Sequence, residues 1–219
     1  ANFYIPPLAD KFFIDTIDKH IRVNSSGKNI AFFFGCVINY LKPQIGKAIV
    51  SALIKSGFNV IIPEGQVCCG LMSLSWGDEE GMRRLSLKNI KLFNSLEVDT
   101  IVVGCSSCGY QLKYNYPKLF VRDDIKIKNE VFSFSKKIRE VTDFLLESEK
   151  DDNLIQNYKD EEKKKIRTGY SLSCHLKKMK TAHNPLKLLK KHPLIKFIET
   201  ENYMECCGGG GTFSLSHPM

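Results

Sequence analysis

The chain lacks the features that most often announce a function. No Gly-x-Gly-x-x-Gly fingerprint is present to cradle a dinucleotide, so flavin or nicotinamide chemistry would have to sit on another chain. No stretch is long and apolar enough to span a bilayer: the longest, Ile30 to Ile38, falls well short of the roughly 18 residues a spanning helix needs. The first residues carry no secretory signal, because Asp10, Lys11 and Asp15 interrupt the apolar positions. That favours a reducing cytosol, where thiols stay available for metal. No cysteine is to spare either. All 8 fall into one pattern, and none is left over for packing.

What is present is ordinary in bulk. Of the 219 residues 43% are hydrophobic and 26% charged, as in a globular protein of one or two domains. The formal net charge is +8, which suits an acidic partner surface, a lipid headgroup layer or an anionic substrate. Lys163-Lys164-Lys165 and the run from Lys187 to Lys196 are basic, yet no aromatic platform or nucleic-acid motif accompanies them. Nucleic acid is therefore not expected as a partner.

The cysteines carry the signal. They run Cys36, then Cys68-Cys69-Gly70, then Cys105-x-x-Cys108, and the opening of the pattern repeats as Cys174 and Cys206-Cys207-Gly208. In both sets 31 residues separate the lone cysteine from the pair. A duplicated thiolate constellation points to metal, and five sulfurs in one set point to iron–sulfur chemistry. Gly70 and Gly208 would let the backbone approach a cluster closely. Zinc competes: four ligands suffice for a structural zinc, and Cys174, Cys206 and Cys207, with His175, could close a zinc site in the second half. Disulfides are a weaker rival, since adjacent cysteines bridge only through a strained ring.

The elements around these cysteines read as α/β. Lys28 to Phe34, Phe58 to Ile62 and Thr100 to Val103 are strand-like, each followed closely by a cysteine. Pro43 to Ser56 and Asp78 to Leu96 have helical periodicity, with Asp78 as N-cap. Strand and helix alternate, so a parallel sheet with right-handed crossovers is expected, and its carboxyl rim is where ligands bind. Val131, Phe134, Ile138, Val141 and Leu145 predict one amphipathic helix over 129–146. At Ile166 the pattern restarts: a strand to Ser173, Cys174, a helix around Leu186 to Lys191 and a strand from Ile195 to Glu199.

This organises the chain as an N-terminal linker with a short helix (1–27), a first domain (28–148), a charged linker (149–165) and a partial second domain (166–219). The repeat would call for a further Cys-x-x-Cys beyond Met219, so the second half is expected to be cut short or to differ at its site. Of the histidines, His175 is placed to touch a metal group or an anion, while His20, His183, His192 and His217 are expected at the surface. Phe12-Phe13 and Phe32 to Phe34 are expected in the core. Tyr40 and Trp76 lie near cysteines in sequence and read as packing residues or as lids.

Phe33-Phe34-Gly35-Cys36, Pro63-Glu64-Gly65-Gln66-Val67-Cys68-Cys69-Gly70, Gly104-Cys105-Ser106-Ser107-Cys108-Gly109 and Cys206-Cys207-Gly208-Gly209-Gly210-Gly211-Thr212-Phe213-Ser214 resemble the cysteine-rich CCG-domain family. That family includes the B and D subunits of heterodisulfide reductase and the iron–sulfur subunits of glycolate and lactate oxidases. It also includes the C subunit of anaerobic glycerol-3-phosphate dehydrogenase. The resemblance covers about residues 28–219. It implies two pseudo-symmetric Rossmann-like parallel-sheet repeats, the second truncated. It implies a 4Fe-4S cluster of the non-cubane kind on Cys36, Cys68, Cys69, Cys105 and Cys108. Cys174, Cys206 and Cys207 would then be part of a second set, holding a 4Fe-4S cluster or zinc. Many glycolate and lactate subunits keep one cysteine where Cys105-x-x-Cys108 stands, so the full set here leans toward a true cluster.

The implied function is electron transfer within a multi-subunit oxidoreductase, in which a separate FAD flavoprotein oxidises a 2-hydroxy acid of the glycolate or lactate type. Reductive cleavage of a disulfide at the cluster, as in heterodisulfide reductases, is the alternative, and a zinc-stabilised scaffold is the third. Glycolate-type relatives often carry a ferredoxin module with Cys-x-x-Cys-x-x-Cys motifs. None is present here, so that module is expected on a removed segment or another chain. The expected location is cytoplasmic, with a peripheral seat on the cytoplasmic membrane face as the alternative.

Overall fold

A computed structural model describes residues 7–23, 27–148, 165–200, 205 and 210. The first half is a five-stranded sheet in the order β1-β3-β2-β4-β5, formed by His20–Ile21, Asn59–Ile61, Asn29–Phe33, Ile101–Val103 and Ile138–Glu140. All neighbours run parallel except β1, which is antiparallel to β3 at the edge.

Every strand of the parallel centre is buried on both faces, and this explains why its sequence is apolar without alternation. Along β2 the pleat sends Ile30 and Phe32 to one face, with Phe34 following on the same side, and Ala31 and Phe33 to the other. The first face packs on α2 (Pro43–Lys55) and α8 (Val141–Ser148) through Val50, Leu53, Phe144 and Leu145, with Phe13 plugged between Phe32 and Phe34. The second packs on α4 (Glu79–Asn94) and α7 (Ile125–Lys136). There the rings of Phe33, Phe93, Phe134 and Tyr116 form a chain with centroids 5.7, 6.0 and 5.8 Å apart. Fully burying each such side chain contributes about 1.5–3 kcal/mol.

The helices start where local chemistry says they should. Pro43 opens α2, and the Asp78 carboxylate accepts the Gly81 N–H at 2.7 Å at the head of α4. The lead-in before residue 28 does more than connect. It holds the expected short helix, a 3₁₀ turn at Phe13–Asp15, and also contributes strand β1.

The single helix expected over 129–146 is instead helix, strand, helix. Asp124 caps α7 by accepting the Ile127 N–H at 2.9 Å, and α7 ends at Lys136. Ile138 then enters the sheet opposite Ile101, and Glu140 caps α8 by accepting the Thr142 and Asp143 N–H groups at 2.9 and 3.1 Å. The five apolar residues that mimicked one helical stripe are all buried. The open edge of β4 decided between the readings, because a strand there satisfies backbone groups that a helix would leave unpaired.

In the second half, β6 (Ile166–Thr168) and β7 (Ile195–Phe197) pair in parallel, Ile166 opposite Ile195. The expected strand to Ser173 stops at Thr168, and Cys174 opens α9 (Cys174–Met179). α10 (Asn184–Lys191) leans on α8, where the Asn184 side-chain amide donates to Asp143 at 3.1 Å.

Candidate metal centre

The chain leaves β2 to build β3 on one side, then crosses back to build β4 on the other. The carboxyl ends of β2 and β4 thus flank a topological switch point, where an open sheet leaves a crevice. Five cysteines arrive at this rim. Cys36 begins α1 (Gly35–Tyr40) just past β2, and Cys68 and Cys69 follow β3 by a short loop. Cys105 caps α5 (Ser106–Tyr110) just past β4, and Cys108 lies on that helix.

Their sulfurs converge. Cys36 Sγ and Cys68 Sγ are 4.0 Å apart. Cys69 contacts both Cys68 and Cys108, and Cys108 contacts Cys105. Cys69 and Cys108 are buried, the other three half-buried. None of the six described cysteines is in a disulfide.

Crowded thiols share protons unequally. The hydrogen bond from Cys36, helped by Cys69 and the N–H groups of Gly70 and Cys69, holds Cys68 down to about 2. Cys36 is pushed far up in return, by that same bond and by burial. Cys108 holds Cys105 down to about 6, with the Cys108 and Ser107 N–H groups and the Ser107 hydroxyl assisting. For Cys69 the bond from Cys108 pulls down, but proton sharing with Cys68 and burial outweigh it and raise it to about 12. Cys108 rises well above the thiol range through its bonds to Cys105 and Cys69 and through burial. This sharing favours the thiolate form on Cys68 and Cys105, the form in which a cysteine binds metal.

The surroundings fit a sulfur-ligated group. Gly35 adopts φ +69°, and a Cβ there would stand 3.0 Å from Cys108 Sγ, so only glycine lets α1 start beside that sulfur. Gly70 has φ +81°, and a Cβ there would press on Met82 at 3.3 Å, so its backbone conformation and the packing of α4 both call for glycine. Two thiolates on one metal atom at about 2.3 Å with tetrahedral angles lie about 3.8 Å apart, close to the Cys36–Cys68 separation. Among the described residues no three His, Cys, Asp or Glu side chains are arranged to hold one ion.

Two polar residues missed in the sequence hold the loops in place. Asn89, fully buried on α4, accepts the Val67 N–H at 3.0 Å and donates to the Val67 and Cys68 carbonyls, each at 3.2 Å. It also donates to the Tyr116 hydroxyl at 3.3 Å, which in turn donates to the Cys69 carbonyl at 3.1 Å. Gln66 ties this loop to the end of β2, accepting the Phe34 N–H at 3.1 Å and donating to the Phe32 carbonyl at 3.3 Å. The available signal was an asparagine on the apolar face of α4, between Ser86 and Phe93.

The second set is placed only in part. Cys174 is exposed at the head of α9, beside the first site rather than at a strand end. Ser106 and Ser173 hydroxyls are 2.8 Å apart, and Ser107 Oγ lies 3.0 Å from His175 Nδ1. His175 is half-buried, and burial lowers it from the usual imidazole value. His20 and His183 are exposed as expected, while His192 is half-buried. Cys206, Cys207, Gly208 and His217 lie outside the described residues. Trp76 is 64% exposed and Tyr40 43%, so neither is a core residue; Tyr40 packs edge-on against Phe12.

Similarity to known proteins agrees with this geometry. Residues 30–113 and 168–219 match the family described as the CCG cysteine-rich domain. An uncharacterised iron–sulfur protein of Methanococcus maripaludis is 32% identical over 99% of this chain and 39% of its own length. The B subunit of the CoM/CoB fumarate reductase of Methanothermobacter marburgensis is 28% identical over 95% of this chain and 37% of its own. Lactate utilization protein A of Bacillus licheniformis is 30% identical over 85% of this chain and 74% of its own. The chain thus spans about two fifths of the methanogen relatives it matches. With both of its cysteine-rich segments matched, the chain belongs to the CCG cysteine-rich domain family.

Proposed function

We propose that this chain is an iron–sulfur part of an oxidoreductase, with Cys36, Cys68, Cys69, Cys105 and Cys108 holding a 4Fe-4S cluster in the first repeat (28–148). The observation that carries this reading is the gathering of five sulfurs at the sheet's switch point. Past a charged segment (149–165), the second repeat (166–219) would contribute Cys174, Cys206 and Cys207 to a second metal group, a cluster or zinc. When bound, an iron–sulfur cluster supplies one-electron transfer. This chain's residues do the rest. Asn89, Gln66 and Tyr116 fix the loops that aim the thiolates, and the apolar chain around Phe33 and Met82 keeps water from the inner face.

The finer reading is electron passage from a separate FAD flavoprotein that oxidises a 2-hydroxy acid, in line with the names of the lactate utilization relatives. Together with a ferredoxin-like module, that flavoprotein is the partner expected, in the cytoplasm or peripherally on its membrane. Among the described residues no helix is long and apolar enough to cross a membrane.

A second reading, disulfide cleavage, is favoured by the complete five-sulfur set and by similarity to the CoM/CoB fumarate reductase chain. Anaerobic purification followed by iron, sulfide and zinc analysis tests the core of the proposal. Iron and acid-labile sulfide in equal amounts are expected; zinc alone would leave only a scaffold. Reduction of the cluster by lactate or glycolate through the flavoprotein, against turnover of a thiol heterodisulfide with a low-potential donor, separates the two redox readings.

A further inference from the structure

We infer that the outward face of the second half, on α9 and α10, is a docking surface for the acidic face of an electron-carrier protein, and that it seats this partner beside the first metal site. The inference rests on the iron–sulfur reading above.

The chain's positive charge is unevenly placed. From residue 165 to Met219 nine Lys and Arg stand against three Glu and no Asp, a formal +6 of the chain's +8. The longer stretch before them is nearly balanced. All nine cations are exposed, among them Lys177, Lys178 and Lys180 on and just past α9 and Lys187, Lys190 and Lys191 on α10. Of the three Glu, Glu199 pairs with Lys190 at 3.0 Å. Cations gathered at one end of a molecule with few counter-charges set up a field that steers an anionic surface toward them.

The packing puts this face over the site. α9 lies along α5: Ser173 at its head meets Ser106 at 2.8 Å, and Met179 at its tail borders Gly109. Leu176 and Met179 are buried, so Lys177, Lys178 and Lys180 are left on the outside. α5 carries Cys108 and is capped by Cys105. Packed helix axes lie about 8–10 Å apart, so a partner resting on α9 is one helix layer from two of the proposed ligands.

The chemistry of the face selects a protein over a lipid layer. A helix that rests on a membrane buries an apolar side in it. Here α10 turns its leucines toward α8 and β7, and none of them is exposed. Ile166 is the one exposed large hydrophobic side chain among the described residues from 165 on. No Phe, Tyr or Trp is exposed there either, so nucleic-acid bases would find no ring to stack on.

The probe is a bacterial ferredoxin, a small acidic one-electron carrier, immobilised for biolayer interferometry against the full chain purified anaerobically. Cytochrome c, a basic carrier, is the opposite control. Association with ferredoxin should slow about tenfold as salt rises from about 10 mM to about 0.15 M and the Debye length shrinks from about 30 to about 8 Å. At about 0.1 M salt, Lys177→Glu/Lys178→Glu/Lys180→Glu/Lys187→Glu should slow association about tenfold. Lys88→Glu/Lys91→Glu/Lys126→Glu/Lys128→Glu, on α4 and α7 across the sheet from α8, has the same net charge and should stay within about twofold of wild type, because distant charges are screened. Lys→Gln changes at the first four positions, expected to slow association about threefold, repeat the comparison if the Glu variant melts early. Equal losses in the two Glu variants, association indifferent to salt, or faster capture of cytochrome c would overturn the docking surface. So would binding of the chain to phosphatidylglycerol vesicles at 0.15 M salt in place of ferredoxin, about the physiological ionic strength. Iron and sulfide are assayed on the same wild-type preparation. A loaded chain that fails these comparisons leaves the iron–sulfur reading intact, whereas a chain without iron and sulfide overturns both.

Discussion

Replacing Asn89 by leucine should damage stability and metal loading together. The side chain is fully buried and makes four hydrogen bonds, three of them to the backbone of Val67 and Cys68. Leucine keeps the branching of the side chain but is bulkier, so some overpacking adds to the polar loss. What is lost is the partner of the Val67 N–H and of two carbonyls, inside a core that offers no water. Each buried polar group left unsatisfied costs about 1–3 kcal/mol, so a total of about 3–5 kcal/mol is expected after partial relaxation. At about 2–4 °C per kcal/mol for a chain of this size, the melting midpoint of metal-free protein should fall by roughly 6–20 °C. Freed from its clamp, the Cys68 loop should also release iron, and supporting residues around metal ligands are worth about 10–100-fold in affinity. Circular dichroism melts and a chelator competition on loaded protein read the two effects. Asn89→Asp keeps the acceptor for Val67 but sets a buried carboxyl against the Val67 and Cys68 carbonyls, so it should be at least as damaging near neutral pH and partly relieved on acidification. A leucine variant that melts within about 1 °C of wild type and keeps its iron against chelator would refute the claim that this amide shapes the site.

Two further outcomes follow from the rim. Gly35→Ala puts a Cβ at φ +69° and 3.0 Å from Cys108 Sγ, so it should cost about 1–2 kcal/mol in the metal-free protein and impair loading more than melting implies; normal iron content would contradict the close approach. In metal-free folded protein at pH 7, iodoacetamide should modify Cys68 and Cys105 first, since both are held as thiolates, and Cys36, Cys69 and Cys108 last; reactivity of Cys105 should drop as pH falls below about 6. Peptide mapping by mass spectrometry reads the order, and early labelling of Cys36 would defeat the assigned proton sharing.

Much of the first half was legible because its signals are local. Pro43 and Asp78 mark helix starts, and the apolar strand around Phe32 needs both faces covered. The segment 129–146 was not legible. Its spacing serves a helix or a helix followed by a strand equally well, and only the free edge of β4 selects between them. Asn89 was invisible for a related reason: its partners lie on a loop more than 20 residues away. His175 stood out as a neighbour of Cys174, yet its contact is with Ser107, on the other repeat.

The order of residues alone put Cys36, Cys68-Cys69 and Cys105 past the ends of strands, since spacing and strand ends are properties of the chain. Which sulfur faces which, where the clamps sit and that the second half touches the first site come from the folded molecule. Those are distances between residues far apart along the backbone, set by how the sheet's order and the packed helices bring loop to loop.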